Sequence, residues 1–448
     1  MASPLMISVA GVRGIVGDSL TPPVASRFAA AFARALGPGP VVVGRDARRS
    51  GPAVYHAVAA GLRGAGREVI DLGLATTPTT EIAVERASAA GGVIITASHN
   101  PAAWNALKFL SERGEFLGPR EGAAVRAAFE ADRDLWSRAE ALGGERAEPA
   151  ALEWHLERVL GLDVLDLGAI RDRRLAVAVD GCSSAGGLAL PPLLRALGAI
   201  VTEVDCVPDG EFRRELEPLP EHLGRLERAV LESRADFGVA VDPDADRAAF
   251  VDARGAPLGE EFTLALCAQV VLARRPGPVV TNLSTSRIVD AVCRRAGVPL
   301  HRTAVGEAHV VAGMRKVGAV VGGEGNGGTI LPAAHYGRDG LVAAALIAQA
   351  LAGSGTTLRA LADALPELHM VKRKLSLPGA SWEEAAARLR RRFAGHEADD
   401  TDGLRFARGE EWVHVRPSGT EPVVRIIAEA PAAARAMELA EEARAALA

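Results

Sequence analysis

Short runs of β-branched and other apolar residues, most of them closed by glycine, aspartate or asparagine, recur along this chain and limit what it can fold into. Val41-Val42-Val43-Gly44, Glu68-Val69-Ile70-Asp71 and Val93-Ile94-Ile95 form a first series. Leu175 to Val179, Ile200 to Val204 and Phe237 to Val241 form a second, and Val279 to Asn282 with Ala319 to Val321 a third. Runs that are apolar at consecutive positions need cover on both faces, the condition of strands in a mostly parallel sheet flanked by helices. The segments between them are amphipathic and helix-length, as in Pro52 to Ala65. A chain of 448 residues is too long for one hydrophobic core. The three series predict three α/β units, over residues 1–150, 151–253 and 254–369.

The remainder, 370–448, is punctuated differently. A strand from Met370 to Leu377, a helix from Trp382 to Phe393, strands at Trp412 to Arg416 and Val423 to Glu429, and a helix from Ala432 predict a smaller α+β domain.

Composition narrows the function. A net charge of -5 argues against a nucleic-acid binder, which needs a basic excess. No apolar run is long enough for a membrane span, and Met1 to Gly14 lacks the pattern of a secretory signal. Cys182, Cys206, Cys267 and Cys293 show no CxxC spacing, so the expectation is reduced thiols in a cytoplasmic protein. Of 51 basic residues only four are lysine, so Lys108, ten residues after Ser98, invites a chemical role: an amine can exchange a proton where a guanidinium cannot.

Four loops carry chemistry. Thr96-Ala97-Ser98-His99-Asn100-Pro101 leaves the strand at Val93 to Ile95, and ligands bind where parallel strands end. It presents a serine with His99 and Asn100 beside it. A serine phosphate would need no activation to donate its phosphoryl group, although a polar turn with an N-cap serine reads the same way. Asp242-Pro243-Asp244-Ala245-Asp246-Arg247 puts carboxylates at alternate positions, able to converge on one hard cation. Arg247 stands where an EF-hand needs glycine, and open positions on such an ion suit magnesium beside a phosphate. Adjacent Arg247 would offset the repulsion and could contact a sugar or phosphate. Gly322-Gly323-Glu324-Gly325-Asn326-Gly327-Gly328 offers Glu324 and Asn326 for sugar hydroxyls, or is a flexible loop. Arg416-Pro417-Ser418-Gly419-Thr420-Glu421-Pro422 combines a guanidinium, hydroxyls and backbone N–H groups into a phosphate cradle, or is a β-turn.

In this order, and with Gly11-Val12-Arg13-Gly14, Gly44-Arg45-Asp46, Asn105 and Lys108, the chain resembles the α-D-phosphohexomutase family along nearly its whole length. The resemblance implies three topologically similar α/β domains with mixed sheets plus a smaller C-terminal α+β domain, around one central cleft. It implies a phosphoserine at Ser98 and one Mg²⁺ per chain on Asp242, Asp244 and Asp246, with Ser98 completing the site. The phosphoserine would convert a hexose monophosphate into a bound bisphosphate, which turns over and returns its other phosphate to Ser98. Glucose or another hexose 1,6-bisphosphate would act as activator. Arg416, Ser418, Gly419 and Thr420 would hold the non-reacting phosphate, and Lys108, His99 and Arg13 would lie near the transferring group. The partners are small hexose phosphates, with no nucleic acid and no membrane, in a monomer or homodimer.

Two departures matter. Asn105-Ala106-Leu107-Lys108 replaces the NGxK of many members, and Asn326 and Gly328 replace the serine and histidine of GEMSGH. Without that histidine, Lys108 is the expected base, helped by His335. These departures resemble the archaeal-type branch, of phosphoglucosamine mutases and phosphomannomutase/phosphoglucomutases. Arg302-Thr303-Ala304-Val305-Gly306-Glu307 resembles a string of phosphoglucosamine mutases, which favours glucosamine phosphate over mannose or glucose phosphate. A metal-dependent phosphatase with Asp242 as nucleophile, and a silent sugar-phosphate sensor, are the rival readings.

Overall fold

In the computed structural model the described residues are 5–376, 382–417 and 423–447. They form four separate sheets. The first has seven strands in the order Met6–Ser8, Gly11–Ile15, Trp104–Leu110, Gly91–Ile95, Val41–Arg45, Val69–Leu74, Glu145–Ala147. Its central strands pair in parallel, as continuous burial requires, but Trp104–Leu110 runs back antiparallel beside Gly91–Ile95. The second sheet repeats this motif: Ala176–Asp180 and Ile200–Val204 are parallel to Phe237–Val241, which is followed by the antiparallel Ala248–Asp252. The third repeats it again, with Val279–Asn282, Leu300–Thr303 and Val321–Glu324 parallel and Gly328–Ile330 antiparallel. The sheets are thus mixed, and the three chemistry-bearing loops occupy one topological place. Each joins a parallel strand of its sheet to the strand that returns antiparallel against it.

The fourth sheet is wholly antiparallel, in the order His369–Ser376, Val423–Ala430, Glu411–Pro417, Leu404–Arg408, Glu397–Asp399. Its own core, including Phe393, Phe406, Val413 and Ile426, is closed by the helices Trp382–Arg392 and Ala433–Leu447.

The middle two sheets share a core on one face, while each keeps a smaller cluster of its own on the other. One apolar cluster runs from Val159 to Leu365 through both. The helix Gly340–Ser354 causes this: it is buried on nearly every side and packs on Glu261–Arg274 as well as on Leu167–Arg173 and Ala185–Ala196. A helix apolar all round needs neighbours all round. No helix among the described residues is long and apolar enough to cross a membrane.

Candidate active site

Ser98 sits just past the strand Gly91–Ile95 with φ of 49°, a left-handed conformation that costs energy in any residue but glycine. A buried polar frame holds it there. Ser98 N donates to Thr96 Oγ1 at 2.9 Å, and Thr96 Oγ1 donates to Asp46 Oδ2 at 2.6 Å. Arg48 pairs with Asp46 at 3.0 Å, both fully buried. Its Nη2 donates to the carbonyls of Ser98 and Asn100, each at 2.6 Å, and its Nη1 to those of Pro101 and Trp104 at 2.8 and 3.1 Å. One guanidinium therefore satisfies four carbonyls of the serine loop. The sequence reading missed Arg48, since nothing marks one arginine in so arginine-rich a chain.

Ser98 Oγ donates to Asp242 Oδ2 at 2.7 Å. Asp242, Asp244 and Asp246 are fully buried, and each points one oxygen to within 4.8 Å of the others'. Asp244 Oδ1 and Asp246 Oδ1 have no hydrogen-bond partner among the described residues. Burial, then the charges of Asp246 and Asp244, push the Asp242 carboxyl well above its ordinary range. Crowded carboxylates with orphaned buried oxygens are the donor set of a hard divalent cation, so the residues fit a metal ion. Across the same seam Thr77 donates through N to Asp244 O at 2.9 Å and through Oγ1 to Asp244 Oδ2 at 2.7 Å.

Lys108 lies on the return strand Trp104–Leu110, which brings its Nζ to 2.7 Å from Asp244 Oδ2 and 3.9 Å from Asp246 Oδ2. Burial pulls its proton affinity down, but the two aspartates outweigh burial and hold it above the ordinary lysine value. Lys108 is therefore a protonated donor in this arrangement, not a free base. His99 Nδ1 is 3.4 Å from Ser98 Oγ. Burial, and then the cations Arg247, Lys108 and Arg13, push its imidazole down to about 2, so it stays neutral. Arg13 Nη1 donates to Asn100 Oδ1 at 3.4 Å. Arg247 is tethered by Glu217 at 2.9 Å, and its Nε, 3.7 Å from Asp246 Oδ1, makes no hydrogen bond among the described residues.

Glu324 is nearly buried and held by three donors: Oε1 accepts from Asn282 Nδ2 at 2.8 Å and Gly306 N at 3.0 Å, and Oε2 from Arg338 Nη1 at 2.8 Å. Asn326 folds back, its Nδ2 3.4 Å from Glu324 Oε2 and its Oδ1 accepting from Gly328 N at 3.2 Å. Arg416 lies 3.6 Å from Asp402 Oδ2; burial pushes its guanidinium down, and the Asp402 and Glu324 charges oppose. Ser418, Gly419 and Thr420 lie outside the described residues.

Comparison with known proteins agrees with this arrangement. Four domain patterns of phosphoglucomutase/phosphomannomutase match in order: alpha/beta/alpha domain I over residues 6–135, II over 155–255, III over 260–369 and the C-terminal domain over 370–446. The chain belongs to this family. Its members are phosphohexomutases, which are isomerases. A probable phosphoglucosamine mutase of Methanopyrus kandleri is 37% identical over 96% of this chain and 95% of the relative. A phosphoglucomutase/phosphomannomutase of Thermococcus kodakarensis is 38% identical, over 96% of each. The crystal structure of a phosphoglucomutase/phosphomannomutase family protein from Burkholderia thailandensis superposes with a TM-score of 0.85 at 28% identity, covering 99% of this chain and 98% of that one.

Within this phosphohexomutase the glycine at position 328 acquires a physical reason. A Cβ at Gly328 would lie 2.3 Å from Arg338 Cδ, so the place where many bacterial relatives carry histidine is crossed by an arginine stem. His335 is committed elsewhere: it is buried 3.2 Å from Glu81 and 3.1 Å from Asp339, and Asp339 also binds His155 at 2.8 Å. Burial favours a neutral imidazole, but Asp339 and Glu81 outweigh it and raise His335 to about 10. The expectation that His335 helps as a base does not hold in this geometry. It is a charged strut joining segments from three domains.

Proposed function

We propose that this chain interconverts the 6-phosphate and 1-phosphate of an aldohexose, with Ser98 as the phosphoryl carrier and glucosamine phosphate as the preferred substrate. The single observation that carries the reading is the convergence of Ser98, the three aspartates and Lys108 at hydrogen-bonding distance. In the first half-reaction the bond from phosphorus to Ser98 Oγ breaks as one forms to a sugar hydroxyl oxygen, whose proton ends on the serine. The bound bisphosphate then turns over, and its other phosphoryl group passes to Ser98 with the reverse proton movement. Lys108 and Arg247, both cationic, offset charge on the transferring group, while neutral His99, with Arg13 and Asn100, lines the serine side. Glu324 and Asn326 meet the sugar hydroxyls. Arg416, with Ser418, Gly419 and Thr420, holds the non-reacting phosphate.

The aspartate triad fits Mg²⁺, which when bound would neutralise phosphoryl charge beside Ser98. A hexose 1,6-bisphosphate would prime Ser98 and so activate the enzyme. The four units are taken as residues 1–150, 151–253, 254–369 and 370–448. The sugar preference rests on the segment Arg302 to Glu307, whose Gly306 N donates to Glu324, and on the name of the Methanopyrus relative.

Incubation with the 6-phosphates of glucosamine, mannose and glucose, Mg²⁺ and a trace of bisphosphate tests the reaction. A 1-phosphate should form from each accepted sugar, with kcat/KM highest for glucosamine. No 1-phosphate from any of the three would refute the reading.

A further inference from the structure

Arg338 stands between the strand Gly328–Ile330 and the helix Gly340–Ser354, and is nearly buried. Each nitrogen of its guanidinium meets a different carboxylate. Nε donates to Glu307 Oε2 at 2.9 Å, Nη1 to Glu324 Oε2 at 2.8 Å and Nη2 to Asp246 Oδ2 at 2.5 Å. Its backbone N adds a second bond to Glu307, at 2.9 Å. These carboxylates come from three segments: the aspartate loop, the sugar-facing loop and the start of the helix Glu307–Val317. To reach them the stem passes over Gly328, where a Cβ would stand 2.3 Å from Cδ and 3.0 Å from Cγ. A lysine could not substitute, because an ammonium on a flexible stem lacks the planar fork that addresses three acceptors at once.

We propose that Arg338 is a positioning residue that couples the aspartate loop to the sugar-facing loop, and that position 328 is glycine to let its side chain through. The proposal rests on the phosphohexomutase reading of this site. It has two opposed consequences. The guanidinium holds Asp246 through Oδ2 and adds a positive charge beside the triad, so it weakens cation binding at the orphaned oxygens. It also fixes Glu324, so it strengthens the handling of the sugar. A merely structural arginine would, on removal, weaken both together.

The test uses full-length Arg338→Met, Arg338→Lys, Gly328→Ala and the double variant Gly328→Ala/Arg338→Met. Mn²⁺ affinity of the unphosphorylated protein is measured by electron paramagnetic resonance, KM and kcat with hexose 6-phosphate, and folding by thermal melting. Arg338→Met should bind Mn²⁺ several-fold tighter while KM rises about tenfold or more, the scale of one lost charged hydrogen bond. Gly328→Ala, which alters no charge, should shift both quantities the same way by displacing the arginine. The double variant should be no worse than Arg338→Met alone. Arg338→Lys should not restore KM. Losses that multiply in the double variant, an unaffected Gly328→Ala, or Mn²⁺ affinity and melting temperature falling together while KM rises would each overturn the coupling. A wild-type protein that binds Mn²⁺ but never yields 1-phosphate would instead overturn the parent reading, and the sugar half of this proposal with it.

Discussion

Ser98 Oγ and Asp242 Oδ2, 144 residues apart in sequence, share a 2.7 Å hydrogen bond across the seam between the first and second sheets. The bond puts the hydroxyl that would carry phosphate directly against the group that would carry metal. Ser98→Ala should therefore abolish phosphoryl incorporation from hexose bisphosphate, read by intact-protein mass spectrometry, and lower mutase kcat by about 10³ or more. Asp242→Asn should keep the hydroxyl but lose most of the rate. If Ser98→Ala stayed active while Asp242→Asn released no phosphate, Asp242 would be the nucleophile and the phosphatase reading would stand.

Two buried carboxylate oxygens without a partner among the described residues, beside a third aspartate, fit a divalent cation in the folded protein. Binding to the folded state alone stabilises it by about 2.7 kcal/mol at a hundredfold excess over Kd. Mg²⁺ should raise the melting temperature of the wild type, and a chelator should remove both that increment and mutase turnover. In Asp242→Asn the increment should shrink sharply, because the crowding that favours the cation is relieved. An equal Mg²⁺ shift in both proteins would count against the triad as the site.

Arg48 satisfies four loop carbonyls and the buried Asp46 at once. Arg48→Met strands that carboxylate, which burial already pushes above its ordinary value while Arg48 holds it back. Breaking one partner of a buried pair costs about 3–5 kcal/mol, so urea denaturation should show a loss of that order. Arg48→Met/Asp46→Asn should recover part of the stability but not the activity, since the Ser98 backbone would still lack its donor. Full recovery of both would mean that Arg48 serves only to neutralise Asp46.

The apolar runs at Val41, Val93, Phe237 and Val279 announced the parallel strands because burial on both faces leaves a continuous apolar signature. The return strands were harder to see. Trp104–Leu110 carries Asn105 and Lys108 amid apolar residues, and pairing with Gly91–Ile95 on one side and Gly11–Ile15 on the other makes it a strand. The shared core of the middle domains was likewise hidden, since it depends on what Gly340–Ser354 touches and not on its own pattern. Ser98 and the aspartates were legible because their loops concentrate uncommon residue combinations. Arg48 and Arg338 were not, because their importance lies in long-range partners: Arg338 meets Asp246 across 92 positions. His335 was misread for the same reason, its role being set by Glu81 and Asp339.

His414 links the fourth domain to the third: its Nδ1 is 2.9 Å from Ser284 Oγ and its Nε2 2.6 Å from the Asp402 carbonyl. Nε2–H must then be the donor to that carbonyl, and Nδ1 accepts from the serine, which describes a neutral imidazole. Burial pushes its pKa down from 6.5 to about 4, with Arg416 and Arg405 acting in the same direction and the Asp402 carbonyl and carboxylate opposing. A histidine lowered in the folded state binds fewer protons there than when unfolded. Its contribution is therefore complete above about pH 6.5 and is lost as pH falls towards about 4. Between about pH 7.5 and 4.5 the wild type should lose roughly 2–3 kcal/mol more than His414→Gln, which cannot titrate and cancels the carboxylates common to both. Urea midpoints of the two proteins at both pH values measure the difference. Parallel pH profiles would show that His414 takes up its proton alike in the folded and unfolded states, and that burial against Ser284 does not favour the neutral ring.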